Sequence, residues 1–300
     1  MGWSGPWKAA SDHGWDFFRS AFLRPDGLYR TTVAPGGAPV DDQAFLYDQA
    51  FALLALSARH AATPGERVHR EQGLALLAAM QARRHRAGGY LEAGSHPFQA
   101  NCHMHLLEAA LAWLEAGEPA FEPMVLEIAE LARSRFIDPR TQVLREFFNE
   151  HWRPAEGDDG RLVEPGHQFE WALLLARWSA LGGPAWTLSM AEALFEAGRY
   201  GLDPARKVAV NALWDDMSLR DAEARLWPQT EYLKAALILG RRDHALDAAA
   251  GLRRYLETPI RGLWWDHQAA DGSFRPVAAP ATSLYHIIGV CEALGADAAG

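Results

Sequence analysis

Histidine, glutamate and tryptophan recur at helical spacing in one stretch, Glu164-Pro165-Gly166-His167-Gln168-Phe169-Glu170-Trp171. His167, Glu170, Trp171 and Leu174 fall at i, i+3, i+4 and i+7, so a helix puts them on one face. Imidazole and carboxylate can move or orient protons near neutrality, and an indole can wall a pocket. Pro165 suits the first helical position, where its missing N–H costs nothing. The apolar run from Trp171 to Trp178 predicts a helix buried on more than one side. Taken alone, the same spacing also describes an ordinary structural His–Glu pair.

Three further segments combine an aromatic or histidine with a titratable group near a helix start: His103 and His105 with Glu108, Trp227 with Glu231, and Tyr285 with His286. A single helical histidine is usually a hydrogen-bonded core or surface residue. Four such clusters on alternate helices point to one pocket. His103 and His105 lie about 200° apart around a helix, so they cannot grip one ion together. His167/Glu170 and His105/Glu108 are HxxE pairs, which helix bundles use for metals, but no further ligand pattern supports one and no metal is expected. The sequence has no Walker loop, no GxGxxG after a strand and no GxSxG. No cofactor and no serine nucleophile are expected.

The elements that must position these groups are helical. Of 300 residues, 49% are hydrophobic and 22% charged, a globular balance rich in Ala and Leu. The net charge of −9 argues against nucleic acid or an anionic membrane surface as partner. Cys102 and Cys291 are far apart and form neither a disulfide framework nor a zinc motif. The first residues lack a charged region followed by an apolar one, and no apolar run approaches the ~20 residues that span a bilayer. A cytoplasmic protein is expected.

Gly and Pro punctuate the chain into helices. The pattern predicts them over Gly5–Phe22, from a cap at Asp41 or Asp42 to Ala61, from Pro64 to Arg83, from Gln99 to Ala116 and from Pro119 to Phe136. Others start at Glu164, Pro184, Trp227, Asp243 and near Ala281. The intervening segment from Asp138 to Leu162 is polar, aromatic and long, which favours a functional loop. The reading is a single domain, residues 1–300, built from about ten helices in hairpins, with any strands short and confined to loops.

Five blocks carry a resemblance: Tyr47-Asp48-Gln49-Ala50-Phe51-Ala52-Leu53, Asn101-Cys102-His103-Met104-His105-Leu106-Leu107-Glu108-Ala109, Glu164 to Trp171, Trp227-Pro228-Gln229-Thr230-Glu231, and Leu284-Tyr285-His286. In this order they resemble the N-acylglucosamine 2-epimerase family, which includes cellobiose 2-epimerases, mannose isomerases and sulfoquinovose isomerases. The resemblance implies an all-α toroid of the (α/α)6-barrel type. It also implies reversible proton transfer next to a sugar carbonyl, without a redox cofactor. His167 and His286 would be the acid/base pair. His105, Glu170 and Glu231 would bind the sugar or tune the histidines. Tyr47, Trp171, Trp227 and Trp265 are the further substrate-binding candidates; these tryptophans and Trp264 suit stacking on a pyranose, with core packing an equal reading of each alone.

Removing a C2 proton from an open-chain aldose needs a base near neutrality, and the resulting enediolate needs hydrogen-bond donors in a dry site. Return of the proton to the other face of C2 gives an epimer; delivery to C1 gives a ketose. Two histidines serve either outcome. No basic cluster or Gly-rich nest stands out as a phosphate clamp, so a neutral sugar of the mannose/fructose or glucose/mannose type is expected, scattered arginines being the route to an anion site in the fold. The competing readings are a glycoside hydrolase using Glu170 and Glu231, or a non-catalytic sugar-binding protein.

The family barrel has about 12 helices, and the blocks here start at what resembles its fourth, so the first hairpin and its sugar-binding arginine are expected to be missing. An apolar cleft should result, with Phe51 and Ile287 more exposed than in a closed ring. An open, five-hairpin barrel is expected, which either forms a homodimer across that gap or is a truncated form of a longer reading frame with weakened activity.

Overall fold

The computed structural model describes residues 4–297. Among them are ten α-helices: α1 Trp7–Phe22, α2 Leu46–Ala62, α3 Val68–Ala79, α4 Ala100–Glu115, α5 Glu122–Leu131, α6 Pro165–Ala180, α7 Trp186–Arg199, α8 Leu226–Ile238, α9 Arg242–Leu256 and α10 Thr282–Asp297. The strands are two or three residues long and sit in the connections. The fold is therefore all-α. None of the described helices is long and apolar enough to cross a membrane.

The chain forms two compact units. One comprises the residues up to Ser134 with Phe147–Arg153, the other Arg135–Glu146 with the chain from Pro154 onward. In the first, α2 packs on α3 and α4, and α4 on α5; in the second, α6 packs on α7 and α8, and α8 on α9 and α10. Burial sorts the helices into two kinds. α4 and α6 each bury 12 of 16 residues and α8 buries 10 of 13, whereas α3 buries 3 of 12 and α9 5 of 15. A helix enclosed on most sides must be apolar all round, while an outer one needs only a stripe. Within each unit, enclosed and outer helices alternate as hairpins.

Four helices, α2 and the enclosed α4, α6 and α8, hold the loop before them by one buried side chain each. Gln49 on α2 accepts from Tyr29 N at 2.7 Å and donates to Tyr29 O at 2.9 Å. Gln168 on α6 does the same to Leu144, at 2.9 Å in both bonds, and Gln229 on α8 to Ala209, at 2.7 and 2.8 Å. On α4 the part falls to His103, whose Nε2 accepts from Tyr90 N at 3.1 Å while Nδ1 donates to Gln99 O at 2.7 Å. Burial pushes His103 down to about 4, which keeps it neutral in this structural role. Buried loop backbone needs such partners. Aligned on these anchors, His105, Glu170 and Glu231 occupy the same position, two residues on.

The cap expected at Asp41 or Asp42 is not what starts α2. Glu92, buried in the connection between α3 and α4, accepts from Leu46 N at 2.7 Å and Tyr47 N at 3.2 Å. Helix starts need an acceptor for their free N–H groups, and a distant carboxylate supplies it as well as a local one. A groove of about 600 Å³ runs between α1 and α2, lined by Trp15, Phe18, Phe22, Phe51 and Ala55. Phe51 is half-buried there, and Ile287 on α10 is also half-buried.

Candidate active site

In the second unit the strand Leu162–Val163 pairs with Ala212–Trp214, which in turn pairs with Leu219–Asp221. Glu164 follows that strand with extended backbone, and Pro165 then opens α6 as its position predicts. His167 lies in the first turn. Its Nδ1 is 2.9 Å from Glu146 and 3.6 Å from Glu164. Glu146 reaches it because Gln168 clamps Leu144 two residues earlier. Arg145 pins the segment further, to Asp138 at 3.1 Å, Asp215 at 3.0 Å and Gly160 O at 2.9 Å. Burial by itself would depress His167, but Glu146, Glu164 and Glu170 outweigh it and push the imidazole up to about 10. At neutral pH it is an imidazolium.

His286 stands on α10. Its Nδ1 lies 2.7 Å from Glu231 Oε1, which also accepts from Thr230 Oγ1 at 3.2 Å. Lys234 Nζ is 2.8 Å from the other Glu231 oxygen. Burial would raise Glu231; Lys234 and His286 together hold it ionised, well below the usual carboxylate range. Glu170, Glu231 and His286 bring one ligand atom each within 4.8 Å of one another. That spacing could hold a cation, and the ammonium of Lys234 already stands on Glu231.

The indole of Trp227 adjoins both imidazoles, with ring centroids 4.9 Å from His167 and 5.8 Å from His286. A carboxylate only accepts, so Nδ1 carries a hydrogen in each histidine and Nε2 is the atom that can meet a substrate. Gly166 lets Trp227 lie so close: a Cβ there would come within 2.5 Å of the indole ring. Gly166→Ala is therefore expected to destabilise the fold by about 1–3 kcal/mol and to displace the ring between the histidines. Thermal unfolding together with turnover tests this, and an unchanged Tm and rate would refute it.

His105 and Tyr47 lie in the first unit. His105 Nδ1 is 3.2 Å from Glu108, and its ring meets Tyr47 edge-on at 5.1 Å and Phe51 at 4.7 Å. Two of the tryptophan candidates have partners within the protein. Trp171 is fully buried and packs edge-on against Phe136 at 5.8 Å, because the enclosed helix leaves it no open side. Trp265, half-buried, stacks on Phe274 at 5.9 Å, donates to Glu257 O at 3.1 Å and lines a cavity of about 530 Å³ together with Trp264. Nor does His167 take Glu170, one turn on, as its hydrogen-bond partner; Glu146, 21 residues upstream, has that place. Glu146 and Lys234 are the site residues that sequence reasoning missed. The available signal was that a buried charge must be paired.

The chain matches the profile of the family described as N-acylglucosamine 2-epimerase over residues 1–290. It is 42% identical to a protein of Rhizobium meliloti (strain 1021) named mannose-6-phosphate isomerase, over 96% of this chain and 79% of that one. Among solved structures, cellobiose 2-epimerase from Spirochaeta thermophila DSM 6192 superposes with a TM-score of 0.83 at 23% identity, covering 98% of this chain and 80% of its own. A D-mannose isomerase does so with a TM-score of 0.84 at 20% identity, covering 97% and 80%. These structures share the fold, the (α/α)6-barrel type. With the profile spanning almost the whole sequence, the chain belongs to the N-acylglucosamine 2-epimerase family and is an isomerase acting on sugars.

Proposed function

We propose that the protein interconverts a mannose-type aldose with its ketose or 2-epimer by proton transfer at C2 through an enediolate. The observation that carries this reading is the pair of imidazoles flanking Trp227, each with Nδ1 on a buried carboxylate. One imidazole can take the C2 proton while an imidazolium donates to the carbonyl oxygen, where charge develops. The test is incubation of mannose, fructose, glucose and mannose 6-phosphate in D₂O, read by proton NMR. Deuterium entering at C2 or C1 is expected. No exchange with any of them, or release of a monosaccharide from an oligosaccharide instead, would overturn the reading.

A phosphorylated substrate is the second reading, favoured by a specific observation. Arg220 and Arg225, one on the strand Leu219–Asp221 and one just before α8, both act electrostatically on Glu164 beside His167. Arg220 also lies over Trp214 at 4.5 Å, with its Nη1 buried and without a hydrogen-bond partner. The Rhizobium relative's name points the same way. On this reading, Arg225→Ala raises KM for mannose 6-phosphate by about tenfold to a hundredfold, the scale of one charged hydrogen bond, and leaves mannose unaffected. Equal effects on the two sugars would remove the arginine from phosphate recognition.

A further inference from the structure

Lys234 is one of three lysines in the chain and lies on α8, one turn after Glu231. Its side chain is only 7% exposed, although a buried ammonium is costly unless it is paired. Nζ meets Glu231 at 2.8 Å and stands 5.9 Å from the centre of the Tyr285 ring. Gly289 on α10 leaves it room, since a Cβ there would meet Nζ at 3.3 Å. Glu231 thus bridges two partners, the ammonium on one oxygen and the His286 imidazole on the other. His167 differs: Glu146, Glu164 and Glu170 all press on it.

We propose that Lys234 is a positioning residue for the proton transfer. It cancels the Glu231 charge, so that Glu231 orients His286 without fastening a second proton to it and Nε2 can act as the base. The proposal rests on the reading of His286 as a proton-transfer group. The two histidines are thereby made unequal by their surroundings. His167, among carboxylates, is set as the acid, and His286, beside a neutralised carboxylate, as the base. The charged and titratable groups around His286 include Glu170 from α6, Glu231 and Lys234 from α8, and Tyr285 on its own helix. His167 lies beyond the Trp227 indole. At the first turn of α10, Asp266 is bonded to Ser283 at 2.8 Å and paired with His267 and Arg225.

Removing the ammonium makes the His286–Glu231 pair hold its proton to higher pH, because a nearby positive charge no longer opposes it. In Lys234→Met the acid limb of the C2-exchange profile is expected to move up by about one to two pH units. The rate near pH 7 then falls by about tenfold and recovers in alkali, with KM little changed. Lys234→Arg, which keeps the charge, should retain the wild-type limb. Histidine side-chain NMR on the full chain gives the same reading without any substrate: the His286 resonance is expected to titrate later in Lys234→Met than in the wild type. Should that variant fail to fold, Lys234→Gln is read in the same way. Identical titration of His286 with and without the lysine charge would overturn the proposal. Absence of exchange in the wild type would instead overturn the functional reading and leave the NMR test standing.

Discussion

Replacing His167 or His286 by asparagine is expected to lower C2 proton exchange by about 10²–10⁴-fold, the usual contribution of a positioned proton-transfer group. Asparagine can still reach the carboxylate that each Nδ1 holds, so the local hydrogen bond has a substitute. What it lacks is Nε2, the atom left to meet the substrate. The helical circular dichroism should therefore survive while turnover does not. His103 is the internal contrast. Both its nitrogens are spent on backbone, so His103→Asn should cost about 1–3 kcal/mol of stability through the Tyr90 N–H and leave exchange close to wild type. Exchange assays and thermal melts on the three variants separate the roles. Losses below about tenfold in both His167→Asn and His286→Asn would remove these residues from the chemistry.

Glu146→Gln is expected to be nearly as damaging, by about 10²–10⁴-fold, although no spacing rule selects Glu146. The carboxylate is 2% exposed and fixes the imidazole of His167 through Nδ1. An amide in its place can turn its NH₂ toward that nitrogen, and it carries no charge to sustain the imidazolium. The His167 value, raised to about 10 with Glu146 present, falls without it. The alkaline limb of the rate profile should therefore move to lower pH. Stability should follow the same sign. A histidine raised from 6.5 to about 10 contributes stability that is complete below 6.5 and disappears as pH rises through 10. Denaturant unfolding between pH 6 and 10 should accordingly slope downward in the wild type and less so in Glu146→Gln. A variant with unchanged rate and unchanged slope would show that Glu146 is a bystander.

Much of the molecule was legible in the sequence because its information is local. Pro165 and the start of α8 near Trp227 mark helix beginnings through backbone chemistry that acts within a few residues. The 3.6-residue period encodes which side chains share a face, so the clusters containing His167, Glu231 and His286 could be picked out one helix at a time. Their blocks also carried the family resemblance, since short segments on enclosed helices keep their residue types together.

Tertiary structure decided the pairings. Glu146 lies 21 residues before His167 in an aperiodic loop, and its arrival depends on Gln168 holding Leu144 and on Arg145 reaching Asp138 and Asp215. Glu92 capping α2 from another loop is the same kind of event. Lys234 is readable as one turn from Glu231, but only the packing of α10 on α8 buries its ammonium and sets Glu231 between it and His286. Trp171 and Trp265 show the same limit, for their spacing does not reveal Phe136 and Phe274 as their ring partners. Helical periodicity fixes a side chain's direction about its own axis. The partner it meets is fixed by the path of the intervening loop, which follows backbone hydrogen bonding and packing and leaves no periodic trace.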